Sequence, residues 1–184
     1  MQKVIVIGCP GSGKSTFARA LGEITGLPVY HLDLLGWNAD KTTVPKEEFR
    51  RRLREVLQKD AWIIDGNYNS TMELRLQHCD TVFFLDYPIA VCIEGVRSRM
   101  GQPREDMPWV ETEEDPAFLQ FVTEFATSEK GRPKILALRK TYAEKEWITF
   151  HSRAEADNYL QTLRGETLKI LNFFANPLDK PQLL

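Results

Sequence analysis

Val4-Ile5-Val6-Ile7-Gly8-Cys9-Pro10-Gly11-Ser12-Gly13-Lys14-Ser15-Thr16 is the stretch whose reading decides the fold. An apolar run with strand character enters a glycine-rich loop that closes on Gly-Lys-Ser and continues as a helix. Gly8, four residues, then Gly13-Lys14-Ser15 fills every fixed position of the phosphate-loop pattern in the strand-to-helix setting that the pattern requires. Such a loop wraps a polyphosphate with backbone N–H groups, and glycine permits both the close approach and the positive φ angles. Gly8 and Pro10 to Thr16 are therefore the expected nucleotide-binding residues. Lys14 is placed for the β- and γ-phosphates, Ser15 for Mg²⁺ and Thr16 for the α-phosphate, with the helix dipole adding attraction for the anion. A dinucleotide-binding reading fits less well. Gly11-x-Gly13-x-x puts Thr16 where the third glycine belongs, and it leaves Lys14 without a role.

The 184 residues suit one α/β domain. A formal net charge of −2 gives no global electrostatic footprint for DNA, so any nucleic-acid role needs a local patch. No apolar run approaches membrane-spanning length and the chain opens directly on a strand, from which a cytoplasmic protein is expected. Cys9, Cys79 and Cys92 have neither disulfide-framework nor zinc-ligand spacing. Cys9 is either a small residue tolerated in the loop or a thiol whose pKa the loop amides lower.

Strands are expected at 2–7, 27–32, 62–65, 81–86 and 147–150. Helices are expected from Lys14 to the Gly22–Gly26 region, after Pro45 with Phe49, Leu53, Val56 and Leu57 inward, after Pro88, and over 153–173. Alternating strands and helices indicate a three-layer α/β fold with a parallel sheet covered on both faces. Acceptor-side helices fall at about 34–60. The segment at about 101–133, with Pro103, Pro108, Pro116, the acidic run Glu111–Asp115 and then a short helix carrying Phe118, Phe121, Val122 and Phe125, breaks the alternation as a lid or a surface excursion.

The carboxyl ends of parallel strands face the ligand crevice, which brings Asp33, Asp65 and Asp86 forward. Asp65, ending Trp62-Ile63-Ile64 before Gly66-Asn67-Tyr68, suits a direct or water-mediated Mg²⁺ ligand. Asp33 suits an acceptor hydroxyl that it holds or deprotonates, with a turn or capping role as the alternative. Asp86 reads as a cap for the helix after Pro88. Phosphoryl transfer needs cations around the migrating group, so Arg97, Arg99 and Arg104 at the lid entrance are of interest. Arg50, Arg51, Arg52 and Arg54 either border the acceptor site or form an ion-pairing face with Glu47, Glu48 and Glu55.

With the phosphate loop, the Trp62–Tyr68 phrase, the Asp80–Pro88 strand and the Arg104–Pro108 segment in view, the chain resembles adenylate-kinase-like P-loop NTPases. More closely it is similar to the bacterial group described as DNA topology modulation (FlaR-like) proteins. The resemblance implies a five-stranded parallel sheet of order 2-3-1-4-5, Mg-ATP on Gly11 to Thr16 and a lid over the nucleotide. It also implies Asp65 as the magnesium-side carboxylate, Arg99 as a lid arginine, and His151-Ser152-Arg153 as the adenine-side loop. Adenylate kinases follow that Asp-Gly with Phe-Pro-Arg, whose arginine grips a monophosphate. This chain has Asn67, Tyr68 and Asn69. The expected function is a kinase moving the γ-phosphoryl of Mg-ATP to a small-molecule or nucleotide acceptor near Asp33, Trp37, Arg51, Gly66, Asn67 and Tyr68. The alternative is a nucleotide-dependent regulator binding DNA or a protein, with the Arg50–Arg54 run as its motive.

Overall fold

The structure is a computed structural model that describes residues 1–175. Strands β1 (Lys3–Gly8), β2 (Val29–His31), β3 (Trp62–Asp65), β4 (Thr81–Leu85) and β5 (Glu146–Phe150) form one all-parallel sheet in the order β2-β3-β1-β4-β5. This is the expected order. Val4, Ile5, Val6 and Ile7 are buried on both faces of the sheet, as a central parallel strand requires.

Helix α1 (Lys14–Thr25) starts beyond Gly13 and stops at Gly26, whose φ of 73° no β-carbon favours and whose N–H returns to the Gly22 carbonyl at 2.8 Å. Right-handed crossovers put α1 on one face, because the chain moves from β1 outward to β2 and then reverses. The later helices fall on the other face. These are α2 (Leu32–Gly36), α3 (Lys46–Leu57), α4 (Met72–His78), α5 (Ile89–Ser98), α6 (Pro116–Glu124) and α7 (Arg132–Thr141). Helix α8 (Arg153–Ala175) returns beside α1, and a chain of ring contacts through Phe17, Phe83, Phe150 and Tyr159 joins α1, β4, β5 and α8.

Two features depart from the sequence reading. Strand β2 ends at His31, and Leu32 and Asp33 open the short helix α2, so Asp33 sits two residues beyond the strand end. Helix α4 was not anticipated: it is a short stretch with few apolar positions, and it buries Met72, Leu76 and an arginine, Arg75. In the insertion, the expected short helix is present as α6, while 101–115 and 125–131 lack helix and strand. Asp115 caps α6 by accepting from the Ala117 and Phe118 N–H groups, and α6 buries Val122 beside the phosphate loop, where Cys9 Sγ lies 3.8 Å from its carbonyl oxygen.

Candidate functional site

The glycine loop leaves β1 at the point where strand order reverses, between β3 and β4, which is where open α/β sheets bind ligands. Gly11 (φ 81°) and Gly13 (φ 91°) take the backbone geometry that turns amides inward. Gly11 lies against α5 so closely that a β-carbon on it would come within 2.0 Å of the Cys92 carbonyl oxygen, and one on Gly95 within 2.0 Å of the Gly11 oxygen. Lys14 Nζ donates to the Cys9 carbonyl at 3.1 Å. Burial lowers the pKa of this ammonium, while Asp65 and Asp33 act in the opposite direction without cancelling the effect. The Cys9 thiol is pushed up by its hydrogen bond with Cys92 and by burial, so it is no activated nucleophile.

Asp65, at the buried end of β3, joins the loop to the rest of the site. Ser15 Oγ donates to its Oδ2 at 2.6 Å, and His31 Nδ1 lies 2.6 Å from its Oδ1. Burial works against a charged His31, yet Asp65 overrides it and leaves the imidazole pKa raised. A hydroxyl and a carboxylate in contact beside a phosphate loop form the hard-oxygen set that suits Mg²⁺, which takes one or two protein oxygens plus phosphate and water. Among the described residues, no three His, Cys, Asp or Glu side chains gather into an all-protein cage.

Asp106 was missed by the sequence reading, which valued its segment only for family likeness. The 101–115 segment folds back and buries Asp106 within 3.5 Å of Arg19 and 3.4 Å of Arg104. Burial opposes its charge, but Arg104, the Ser15 hydroxyl and His31 outweigh that and hold its carboxyl below the ordinary range. Arg99 and Arg104 both face Glu111, at 2.8 and 3.4 Å, and the Arg99 guanidinium also lies 5.5 Å from the Phe118 ring centroid.

A cavity of about 1030 Å³ runs from Pro10, Lys14 and Ser15, past Asp33 and Asp65, to Trp37 and Trp109. Its size is that of a small-molecule site. The Tyr68 hydroxyl donates to Asp33 Oδ1 at 3.0 Å, and the Tyr68 ring stacks on Phe49. Gly36 leaves room for that ring, since a β-carbon there would fall 2.8 Å from the Tyr68 hydroxyl oxygen.

Several expected residues lie elsewhere or serve otherwise. Asn67 borders the cavity, but its amide is committed to Gly8: Nδ2 donates to the Gly8 oxygen at 2.8 Å and Oδ1 accepts from the Gly8 N–H at 3.2 Å. It clamps the phosphate loop to β3 rather than offering an amide to an acceptor. Gly66 (φ 119°) provides the turn between Asp65 and Asn67. Arg51 is turned outward on α3, paired with Glu48 and Glu55, and Arg50 and Arg52 pair with Glu47 and Glu48. The ion-pairing face is the correct reading of that run. Asp86 does not cap α5. It takes Arg132 of α7 in a two-pronged pair at 2.7 and 2.9 Å. Arg153 reaches the outer side of the phosphate loop, donating to the Gly11 oxygen at 3.2 Å, while His151 is exposed next to it in the chain. Arg75 is wholly buried and caps the carbonyls of Gly66, Asn67 and Tyr68, which holds the turn carrying the acceptor-side residues.

No family model matches the chain. It is similar to adenylate kinase of Thermotoga petrophila, with 31% identity over 94 residues, which is 50% of this chain and 42% of that enzyme. It is also similar to adenylate kinase of Thermosipho melanesiensis, with 27% identity over 121 residues, 62% of this chain and 55% of that enzyme. The chain thus spans about half the length of the curated relatives it matches. Among solved structures, shikimate kinase from Bacteroides thetaiotaomicron superposes with a TM-score of 0.52 at 19% identity, covering 89% of this chain and 96% of that one. The chain has the P-loop kinase fold. Within that fold its phosphate loop, Ser15, Asp65 and the cavity occupy the crevice at the carboxyl edge of the sheet. No described helix is long and apolar enough to cross a membrane.

Proposed function

We propose that the protein is a phosphotransferase that moves the γ-phosphoryl of Mg-ATP to a hydroxyl held at Asp33. The observation that carries this reading is the continuity of a single cavity from Lys14 and the Ser15–Asp65 pair to Asp33 and Trp37. A switch protein needs only the nucleotide half of such a cavity. Arg50, Arg51 and Arg52 are paired with Glu47, Glu48 and Glu55, which weakens the sequence motive for DNA contact. Likeness to the FlaR-like group rests on the Asp65–Tyr68, Arg104–Pro108 and Arg132–Lys134 phrases; the first two have work within the site, and Arg132 pairs with Asp86.

The amides of Gly11 to Thr16 and the Lys14 ammonium receive the phosphates. Ser15 and Asp65 hold Mg²⁺, which when bound neutralises charge on the phosphate oxygens. Arg99 and Arg104 lie within reach of Glu111 and exchange that carboxylate for the transferring phosphoryl group as the insertion settles over it. Arg153, with His151 beside it, borders the base of the nucleotide. Asp33 accepts the proton of the acceptor hydroxyl.

The test is transfer from labelled ATP to a panel of small acceptors, using folded wild type and Lys14→Ala. Transfer that falls about 10²–10³-fold in the variant supports the reading. Undiminished transfer in the variant removes the phosphate loop from the mechanism.

A further inference from the structure

The acceptor half of the cavity carries chemistry that the kinase reading does not use. A phosphorylated acceptor brings negative charge next to Asp33, Asp65 and Asp106, and it needs a committed cation to hold it. Among the described residues, no buried cation outside the phosphate-receiving half is free for that task. Arg51 and Arg52 are paired with Glu48, Arg75 is locked on three backbone carbonyls, and Arg99 and Arg104, which share Glu111, are the arginines that the transferring phosphoryl engages. Asn69 stands where adenylate kinases place the gripping arginine, and its amide donates to the Lys130 carbonyl at 2.6 Å. Lys41, Lys46 and Lys130 also line the cavity, but their side chains are exposed, where water screens their charge.

The carboxylates near the acceptor end are occupied too, apart from Glu113, which is exposed. Glu111 faces Arg99 and Arg104, Glu114 pairs with Arg97 at 2.8 Å, and Asp115 caps α6. An ammonium group therefore finds no unpaired carboxylate to seat it deep in the chamber apart from Asp33, which the transferring hydroxyl needs.

What the chamber offers instead is aromatic surface. Trp37, from the excursion after α2, meets Trp109, from the 101–115 segment, at 5.2 Å between ring centroids and 80° between planes. Both indoles are half-buried and line the cavity. Two near-perpendicular rings make a corner in which a flat molecule lies against one face and abuts the other ring.

We propose that the acceptor is an uncharged alcohol with a flat apolar face, seated in the Trp37–Trp109 corner with its hydroxyl on Asp33. This rests on the phosphotransferase reading and narrows it. In the transfer the acceptor oxygen forms a bond to Pγ, the bond from Pγ to the β,γ-bridging oxygen breaks with its electron pair leaving on ADP, and the hydroxyl proton passes to the Asp33 carboxylate. The products are a phosphomonoester and ADP. Nucleosides and cyclic sugars or polyols share this chemistry.

The test offers Mg-ATP with three panels, following ADP release and phosphomonoester formation by phosphorus NMR: adenosine, guanosine, cytidine and uridine; ribose, glucose and myo-inositol; and the four nucleoside monophosphates. The expected result is that a member of one of the first two panels is phosphorylated with kcat/KM at least about 100-fold above any monophosphate. The panel that responds separates a base face from a sugar face. Trp109→Ala is expected to raise the KM for that acceptor at least about tenfold, while calorimetric affinity for Mg-ATP stays within about twofold. Preference for a monophosphate overturns the proposal and leaves the phosphotransferase reading standing. Transfer to none of the panels by protein that binds Mg-ATP also overturns it, and absence of Mg-ATP binding counts against the phosphotransferase reading itself.

Discussion

Burial holds the Asp33 carboxyl above its ordinary range; the Tyr68 hydroxyl on its Oδ1 and the Lys14 ammonium act in the other direction without prevailing. Two consequences follow with opposite signs. Asp33 must be ionised to take a proton, so kcat/KM is expected to fall on the acid side at a pH above the ordinary carboxylate range, with that limb abolished along with turnover in Asp33→Asn. For stability, the folded state binds this proton more tightly than the unfolded chain. Stability from this group is therefore full below the unfolded pKa and is lost as pH rises through the higher folded one. At neutral pH the ionised carboxylate destabilises the fold, and Asp33→Asn is expected to melt at a higher temperature than wild type, a difference that shrinks in acid. A lower neutral melting temperature in the variant contradicts this account of the carboxyl. Arg75 is the converse case. Burial lowers its pKa to about 10, it remains charged, and three carbonyls of the Gly66–Tyr68 turn depend on it. Arg75→Met keeps the bulk of the side chain but orphans those carbonyls, with an expected loss of about 3 kcal/mol in urea unfolding.

Elements meet at the site with little clearance, nowhere less than where the phosphate loop touches α5. Gly95 admits the Gly11 carbonyl and the Arg153 guanidinium, so Gly95→Ala must push the loop or the helix aside. Mg-ATP affinity is expected to fall at least about tenfold by calorimetry, with secondary structure by circular dichroism retained. Helix α3 behaves differently. Arg51 is exposed and paired with Glu48 and Glu55 along that one helix, so Arg51→Ala is expected to leave both transfer rate and melting temperature close to wild type. The loop, its two flanking elements and α3 were legible from sequence because local patterns specify them: an apolar run, fixed glycines and a helical period. Arg75, Asp106, Gly95 and the Asn67 clamp were not. Each acquires its role from a partner distant along the chain, as Asn67 does from Gly8 across two neighbouring strands. Arginine capping of carbonyls and a helical glycine facing a loop also leave no spacing signature.

Over the whole molecule, the alternation of strands and helices led to the parallel sheet, and the resemblance to adenylate-kinase-like proteins implied its order 2-3-1-4-5; both are present. Positions on the insertion were harder to place. Proline-rich chain without periodicity leaves its path open, and only packing shows that Trp109 reaches Trp37 and that Asp106 reaches Arg19. The same packing makes one cavity of two functional halves, with phosphate-receiving amides at one end and aromatic rings at the other. The central claim is that the first half receives a magnesium-bound triphosphate. Isothermal titration of Mg-ATP into the folded protein, repeated with Lys14→Ala, tests it most directly. The account predicts saturable one-site binding to wild type and affinity weakened at least about tenfold in the variant. Equal affinities, or no binding heat with either protein across several temperatures, would contradict it.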